Sequence, residues 1–138
     1  MPRKKTPEKT PAKKLLEWQD TVLMTSPVPY ALCTSQEAFR DELKRLGMED
    51  DEWLCKGADA TTHILTGENG GQAVIVCIPS VPEDDTVDVY STLCHEAVHV
   101  WQTIRKSIGE KRPGIEQEAY SIQNIARNLM MAYRKQTT

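Results

Sequence analysis

The sequence predicts an α+β domain in which a small antiparallel sheet, a hairpin over about residues 61–78, packs on two long helices. The turn sequence at 67–71 (GENGG) separates an alternating, β-branched stretch from a nearly continuous apolar one, as expected for a hairpin. Apolar residues then recur every three or four positions over 86–108 and again from Ile115 to about Lys135. Strands followed by separate helices are typical of the α+β class.

The remaining elements precede the hairpin. The segment Lys13–Met24 has a mixed apolar period compatible with a short helix, and Pro27 and Pro29 predict an extended link after it. A capping box at Thr34–Glu37 then predicts a second helix that ends before a glycine at position 47.

Charge divides the chain into a basic tail, residues 1–12, and a single domain, residues 13–138. Residues 1–14 hold six Lys or Arg and one Glu, which leaves 11 basic and 19 acidic residues and a net charge of −8 for the remainder. The Lys, Thr and Pro content of the tail predicts disorder. An electrostatic arm for nucleic acid or an acidic partner is the alternative, but the tail has no aromatics and the body is acidic, which argues against nucleic acid.

The sequence also indicates the cellular compartment in which the protein is expected. No apolar run reaches the length of a membrane span, and no apolar segment follows the basic N-terminus. We therefore expect a cytoplasmic protein that has no membrane partner. The four cysteines are far apart and form no CxxC pair, so they are expected to be reduced thiols rather than a zinc-binding cluster.

The chemistry of the chain is concentrated in His95-Glu96-Ala97-Val98-His99. Residues four apart share one face of a helix, so the two imidazoles could hold one Zn²⁺ from the same side. Glu96 would then lie where it can take a proton from a metal-bound water. This is the HExxH pattern of zinc metallopeptidases, and the alternative is an amphipathic helix in which the match is coincidental.

The pattern resembles the gluzincin class of metallopeptidases, in which an HExxH helix is followed by a turn and a second helix that donates a glutamate. It is also similar to small bacteriophage-encoded proteins whose second helix begins ExEAY, matched here by Glu116-Gln-Glu118-Ala119-Tyr120. The resemblance covers about residues 60–130. It implies a zincin-like fold, bound Zn²⁺, a peptide or protein substrate and, for a phage-encoded protein, a location in the host cytoplasm.

The resemblance leaves two candidates for the third metal ligand. In the family pattern the ligand is the glutamate three residues before the alanine, which is Glu116. By helical phase, Glu118 lies nearer the apolar face, and it is the alternative. The family usually has Asp four residues after the ligand to orient a metal-bound histidine, whereas this chain has Tyr120.

Together these features predict hydrolysis of peptide bonds, with Glu96 as general base and with His95, His99 and Glu116 as metal ligands. Tyr90, Tyr120 and His63 are candidate donors to the oxyanion, and His63 is also a candidate third ligand. The strand at Gln72–Ile78 is expected to offer an edge to an extended substrate. The alternative function is a catalytically silent, zinc-stabilised scaffold of the phage-assembly or host-interaction type. The sequence leaves the oligomeric state open.

Overall fold

Within the described residues (16–21, 25–81 and 83–138), the chain folds into one four-stranded sheet and three helices, which confirms the predicted α+β class. The structure is a computed structural model, and the predicted tail lies outside the described residues. None of the helices in the described part of the chain has the length and apolar content needed to cross a membrane. In chain order the elements are β1 (Gln19–Thr21), β2 (Thr25–Cys33), α1 (Gln36–Arg45), β3 (Thr61–Thr66), β4 (Gln72–Cys77), α2 (Thr86–Ser107) and α3 (Ile115–Thr137).

The sheet is mixed, whereas the sequence predicts an antiparallel one. Its strand order is β1-β2-β4-β3. β3 and β4 form the predicted antiparallel hairpin, with Thr61 opposite Cys77, but β2 runs parallel to β4, with Tyr30 opposite Val74. The parallel pair requires a crossover, which the chain makes through α1 before it enters the hairpin. β4 is therefore internal, and the edge beside it is β3 rather than the predicted strand over Gln72–Ile78.

The predicted N-terminal helix is wrong in its described part, because Gln19–Thr21 is strand β1. The predicted extended link is part of β2, which contains Pro27 and Pro29. Both prolines precede Tyr30, where pairing with β4 begins, so their missing N–H groups remove no bond from that ladder. A short apolar run of mixed period cannot be assigned from its periodicity alone, which explains the error.

Apolar side chains pack on both faces of the sheet. Because successive residues of a strand point to opposite faces, Val74 and Val76 of β4 face α2 and α3, whereas Ile75 faces α1. The two helices α2 and α3 thus share one face, and α1 covers the other. The larger cluster, between the sheet and α2 and α3, includes Leu93, Ala97, Val100, Ile104, Ile125 and Leu129, and the smaller one includes Cys33, Phe39, Leu43 and Cys77.

The HExxH helix α2 has the ends that the sequence predicts. The Asp85 side chain caps its start by accepting a hydrogen bond from the Val87 N–H at 2.7 Å. Gly109, with φ of 73°, ends it in a left-handed conformation that suits glycine. The motif is therefore held on a regular helix, as its chemistry requires.

The buried carboxylate of Glu42 makes stability sensitive to acid. Arg45 Nε donates to Glu42 Oε1 at 3.0 Å and Trp18 Nε1 donates to it at 3.1 Å. Hydrogen bonding from Arg45, and then from Trp18, lowers the pKa of Glu42 against the opposing effect of burial. A lowered folded-state pKa gives stability that is present above the usual glutamate pKa of about 4.3 and is lost as pH falls through the folded value.

We therefore expect Glu42→Gln to cost about 1 kcal/mol at pH 7, a modest value because the Arg45 side chain is half exposed, and to weaken the loss of stability in acid. Urea unfolding at pH 7 and pH 3 measures both effects. Glu49→Gln, at an exposed position after the end of the same helix, is the control and should change little. Equal pH dependence in wild type and Glu42→Gln would contradict this assignment.

Candidate metal centre

His95 and His99 lie one turn apart on the exposed face of α2, and their rings meet edge to face. Their Nε2 atoms are 3.2 Å apart, and the ring planes are inclined by 77°. Two nitrogen ligands of a tetrahedral zinc ion, each about 2.0–2.1 Å from the metal, lie about 3.3 Å apart. The separation of the two Nε2 atoms thus matches that of two ligands of one zinc ion.

Gln102 is a hydrogen-bond partner of the second histidine. His99 Nδ1 lies 3.1 Å from Gln102 Oε1. A carboxamide oxygen only accepts hydrogen bonds, so Nδ1 carries the hydrogen and the Nε2 of the neutral ring carries the lone pair. This is the tautomer that binds a metal through Nε2, and such outer contacts orient metal-binding histidines. The motif itself does not include Gln102, although the position of Gln102 three residues after His99 is a helical-neighbour signal.

Glu96 turns away from solvent toward the sheet and is only 6% exposed. Its Oε2 accepts a hydrogen bond from the Thr62 hydroxyl on β3. Oε1 has no hydrogen-bond partner among the described residues, and Glu96 lines the same cleft as the two histidines. The carboxylate is therefore held by one oxygen, and the other is available to a water molecule or a substrate. Thr62 was missed because only the packing of β3 on α2 brings it to Glu96.

The histidine pair and Glu96 line a cleft. Its volume of about 1040 Å³ is at the upper end of the usual range for ligand sites. Residues of the edge strand β3, of α2 and of the turn after α2 line the cleft. The lining residues are Cys55, Ala58, Ala60, Thr61, Thr62, Ile64, Gln72, His95, Glu96, His99, Gln102, Thr103, Arg105, Lys106, Gly109, Glu110 and Lys111.

The two candidate third ligands lie elsewhere. Glu118 Oε2 accepts a hydrogen bond from the buried indole of Trp101 at 2.9 Å. Glu116, in the exposed first turn of α3, forms no hydrogen bond or ion pair with the described residues. Neither glutamate lines the cleft, and in the described part of the chain no three His, Cys, Asp or Glu side chains form a group that could hold a metal.

The fit of the site to zinc is therefore partial. The histidine pair has the spacing of two metal ligands, and Glu96 lines the same cleft. A catalytic zinc site normally has three protein ligands. The structure brings together His95, Glu96 and His99 but does not bring Glu116 or Glu118 to them.

The predicted oxyanion donors also lie outside the cleft. His63 is on the sheet face opposite α2, where its ring centroid is 4.5 Å from that of Phe39 and its Nε2 donates to the Trp53 carbonyl at 2.8 Å. It is therefore neither a ligand nor a donor in this arrangement. Tyr90 packs half-buried against the larger core cluster, and Tyr120 is 54% exposed on α3. Neither tyrosine lines the cleft.

Separate substitutions of the two glutamates should distinguish their roles. Because Glu118 accepts the Trp101 hydrogen bond, Glu118→Gln, which keeps an acceptor, should leave zinc affinity unchanged. Glu118→Ala should cost about 1–3 kcal/mol of stability by leaving the indole N–H unpaired. If Glu116 is the third ligand, as the resemblance implies, Glu116→Gln should weaken zinc binding by more than the roughly 10–100-fold that loss of an outer contact costs.

Competition with a zinc-chelating dye measures the affinities, and urea unfolding measures the stability. Weaker zinc binding in Glu118→Gln together with wild-type affinity in Glu116→Gln would make Glu118 the ligand instead.

The fold and site thus define an α+β protein with an HExxH helix beside the edge strand of a mixed sheet. Comparison of the chain with protein-family models, with curated proteins and with solved structures finds no match.

Proposed function

We propose that the protein is a zinc-dependent peptidase of zincin-like architecture that cleaves peptide bonds in the cleft between α2 and β3. One observation carries this proposal: the His95 and His99 Nε2 atoms converge to 3.2 Å, with the Glu96 carboxylate in the same cleft. Helical spacing alone brings the two histidines together, so the support comes from their combination with the buried Glu96 carboxylate in the same cleft.

His95 and His99 would hold the ion, with Glu116 as the proposed third protein ligand and Glu118 as the alternative. Zinc bound there would lower the pKa of a water molecule toward neutrality and polarise the substrate carbonyl. The third ligand requires the first turn of α3 to approach the histidine pair when metal binds. Glu116 is free to take part because it has no partner among the described residues.

Glu96 is the proposed general base. Its Oε1 accepts a proton from the attacking water and later gives it to the leaving amine nitrogen, so the carboxylate is regenerated in each cycle. The Thr62 hydroxyl holds Oε2 and thereby fixes the direction of Oε1. Thr62 is a positioning residue in this scheme. Tyr120 stays a candidate oxyanion donor only if α3 moves with Glu116.

The edge strand β3 is the proposed docking site for an extended substrate. It pairs with β4 on one side, and its other side has unpaired backbone groups. Ile64 lines the cleft while 53% exposed, so it offers apolar contact next to those groups. A peptide added as a further strand would gain backbone hydrogen bonds from β3 and lie across the histidine pair.

The second candidate function is a zinc-stabilised scaffold or interaction protein, of the phage-assembly or host-interaction type, without turnover. The incomplete group of ligands favours it, because no three His, Cys, Asp or Glu side chains of the described residues form a group that could hold a metal. The buried and hydrogen-bonded Glu96 favours the peptidase, since a structural site has no use for a base.

A chelation experiment distinguishes the peptidase from the zinc-stabilised scaffold. The protein is incubated with a library of short fluorogenic peptides, then with 1,10-phenanthroline, and then with equimolar zinc. The peptidase predicts hydrolysis that is lost on chelation and restored by zinc. The scaffold predicts no hydrolysis but a fall in Tm on chelation. An absence of both effects would contradict zinc binding in either role.

A further inference from the structure

We infer that the cleft contains a second binding site, specific for a carboxylate of the substrate, at the C-terminal end of α2. The inference rests on the proposed peptidase function, and it names the class of substrate. Three cations line this end of the cleft: Arg105, Lys106 and Lys111.

The helix places this site in line with the histidine pair. His95, His99, Gln102 and Lys106 follow one another at spacings of four, three and four residues, so they form one stripe along α2. Lys106 is two helical turns beyond His99, about 10 Å along the axis. An extended peptide advances about 3.3 Å per residue, so its carboxylate would lie about three residues from the scissile bond.

The turn after α2 brings the third cation into the cleft. The Gly109 N–H donates to the Lys106 carbonyl at 3.2 Å, and the Glu110 N–H donates to the Arg105 carbonyl at 3.0 Å. This double closure, with φ of 73° at Gly109, is a Schellman motif that reverses the chain. Lys111 consequently lines the same cleft as Lys106 although it lies beyond the helix.

These cations have no acidic partner of their own. Arg105, Lys106 and Lys111 form no ion pair with the described residues, and Glu110 is the one acidic residue lining that end of the cleft among them. Favourable contact with the helix dipole accounts for basic residues in the last turn, but it does not account for Lys111. Residues 15–138 carry a net charge of −8, and unpaired cations gathered in the cleft attract an anion there.

The substrate class is therefore a peptide with a carboxylate about three residues from the cleaved bond, in the direction of Lys106. The carboxylate has two possible sources: an Asp or Glu side chain, or the free C-terminus of the substrate. In both cases it would be held by the ammonium groups of Lys106 and Lys111.

Binding rather than turnover tests this inference, so that it can fail separately from the peptidase proposal. Zinc-loaded Glu96→Gln protein is titrated with fluorescent peptides that have a Glu or a matched Gln at each position in turn. A second series has a free or an amidated C-terminus. Fluorescence anisotropy should give about fivefold tighter binding for the carboxylate member of one series, and the difference should shrink in high salt.

Charge reversal then locates the site. Lys106→Glu and Lys111→Glu, each in the Glu96→Gln background, should abolish the preference. Lys44→Glu, an exposed reversal on α1 across the sheet, is the matched control and should retain it. Equal affinity for carboxylate and amide peptides, or a preference that survives both cleft reversals, would overturn the inference. Failure of wild-type protein to hydrolyse any peptide would instead count against the peptidase proposal.

Discussion

Glu96→Gln is expected to lower kcat/KM for peptide cleavage by about 10²–10⁴-fold while bound zinc is retained. A carboxamide cannot take a proton from water, but its oxygen can still accept the hydrogen bond from Thr62, so the side chain should keep its place. The substitution therefore removes the proposed base with little change in shape. Steady-state kinetics on a cleaved fluorogenic peptide measure the effect.

Asp88→Asn is the control for this experiment, because Asp88 is an exposed acid on the same helix, outside the cleft. It should leave kcat/KM within about twofold, since surface substitutions away from a site have small effects. Wild-type kcat/KM in Glu96→Gln would contradict the role of Glu96. A loss of activity accompanied by a loss of zinc would assign Glu96 to metal binding instead.

Leu93→Ala is expected to destabilise the fold by about 2–5 kcal/mol, the range for removal of a buried leucine side chain. Leu93 is fully buried in the cluster between the sheet and α2, two residues before His95. Its loss leaves a cavity under the helix that carries both histidines. Urea unfolding with excess chelator present measures the effect on the fold alone.

Val87→Ala is the matched control on the same helix, since Val87 is 74% exposed, and it should change stability by less than about 0.5 kcal/mol. Similar unfolding midpoints for Leu93→Ala and wild type would mean that α2 does not depend on this packing. Packing against the sheet would then not be what positions the HExxH helix.

The elements that the sequence predicts well are those encoded locally. The hairpin is defined by its turn glycines, and α2 and α3 by long apolar stripes with a break between them. β2 was not predicted as a strand because Pro27 and Pro29 suggest a link and because its pairing with β4 is a contact between distant parts of the chain. Without β2 as a strand, the sequence could not predict the parallel pairing or the mixed sheet that results from it.

The candidate site likewise combines contacts that local spacing predicts with contacts that only the packing of distant segments creates. Helical spacing alone places His95 and His99 side by side, and it also places Glu118 toward the apolar face, where the structure finds it. Spacing does not reveal that the Glu118 carboxylate accepts a hydrogen bond from the Trp101 indole. Nor does it reveal the contact of Thr62 with Glu96, which depends on how β3 packs against α2.

We expect His95 and His99 to bind one zinc ion together, and the metal content of the purified protein tests this expectation. Plasma emission spectroscopy is applied to protein purified without added metal, beside His95→Ala and Glu96→Gln. About one zinc per chain is expected in wild type and in Glu96→Gln, and none in His95→Ala. Wild-type protein that contains no zinc, even after supplementation, would contradict it.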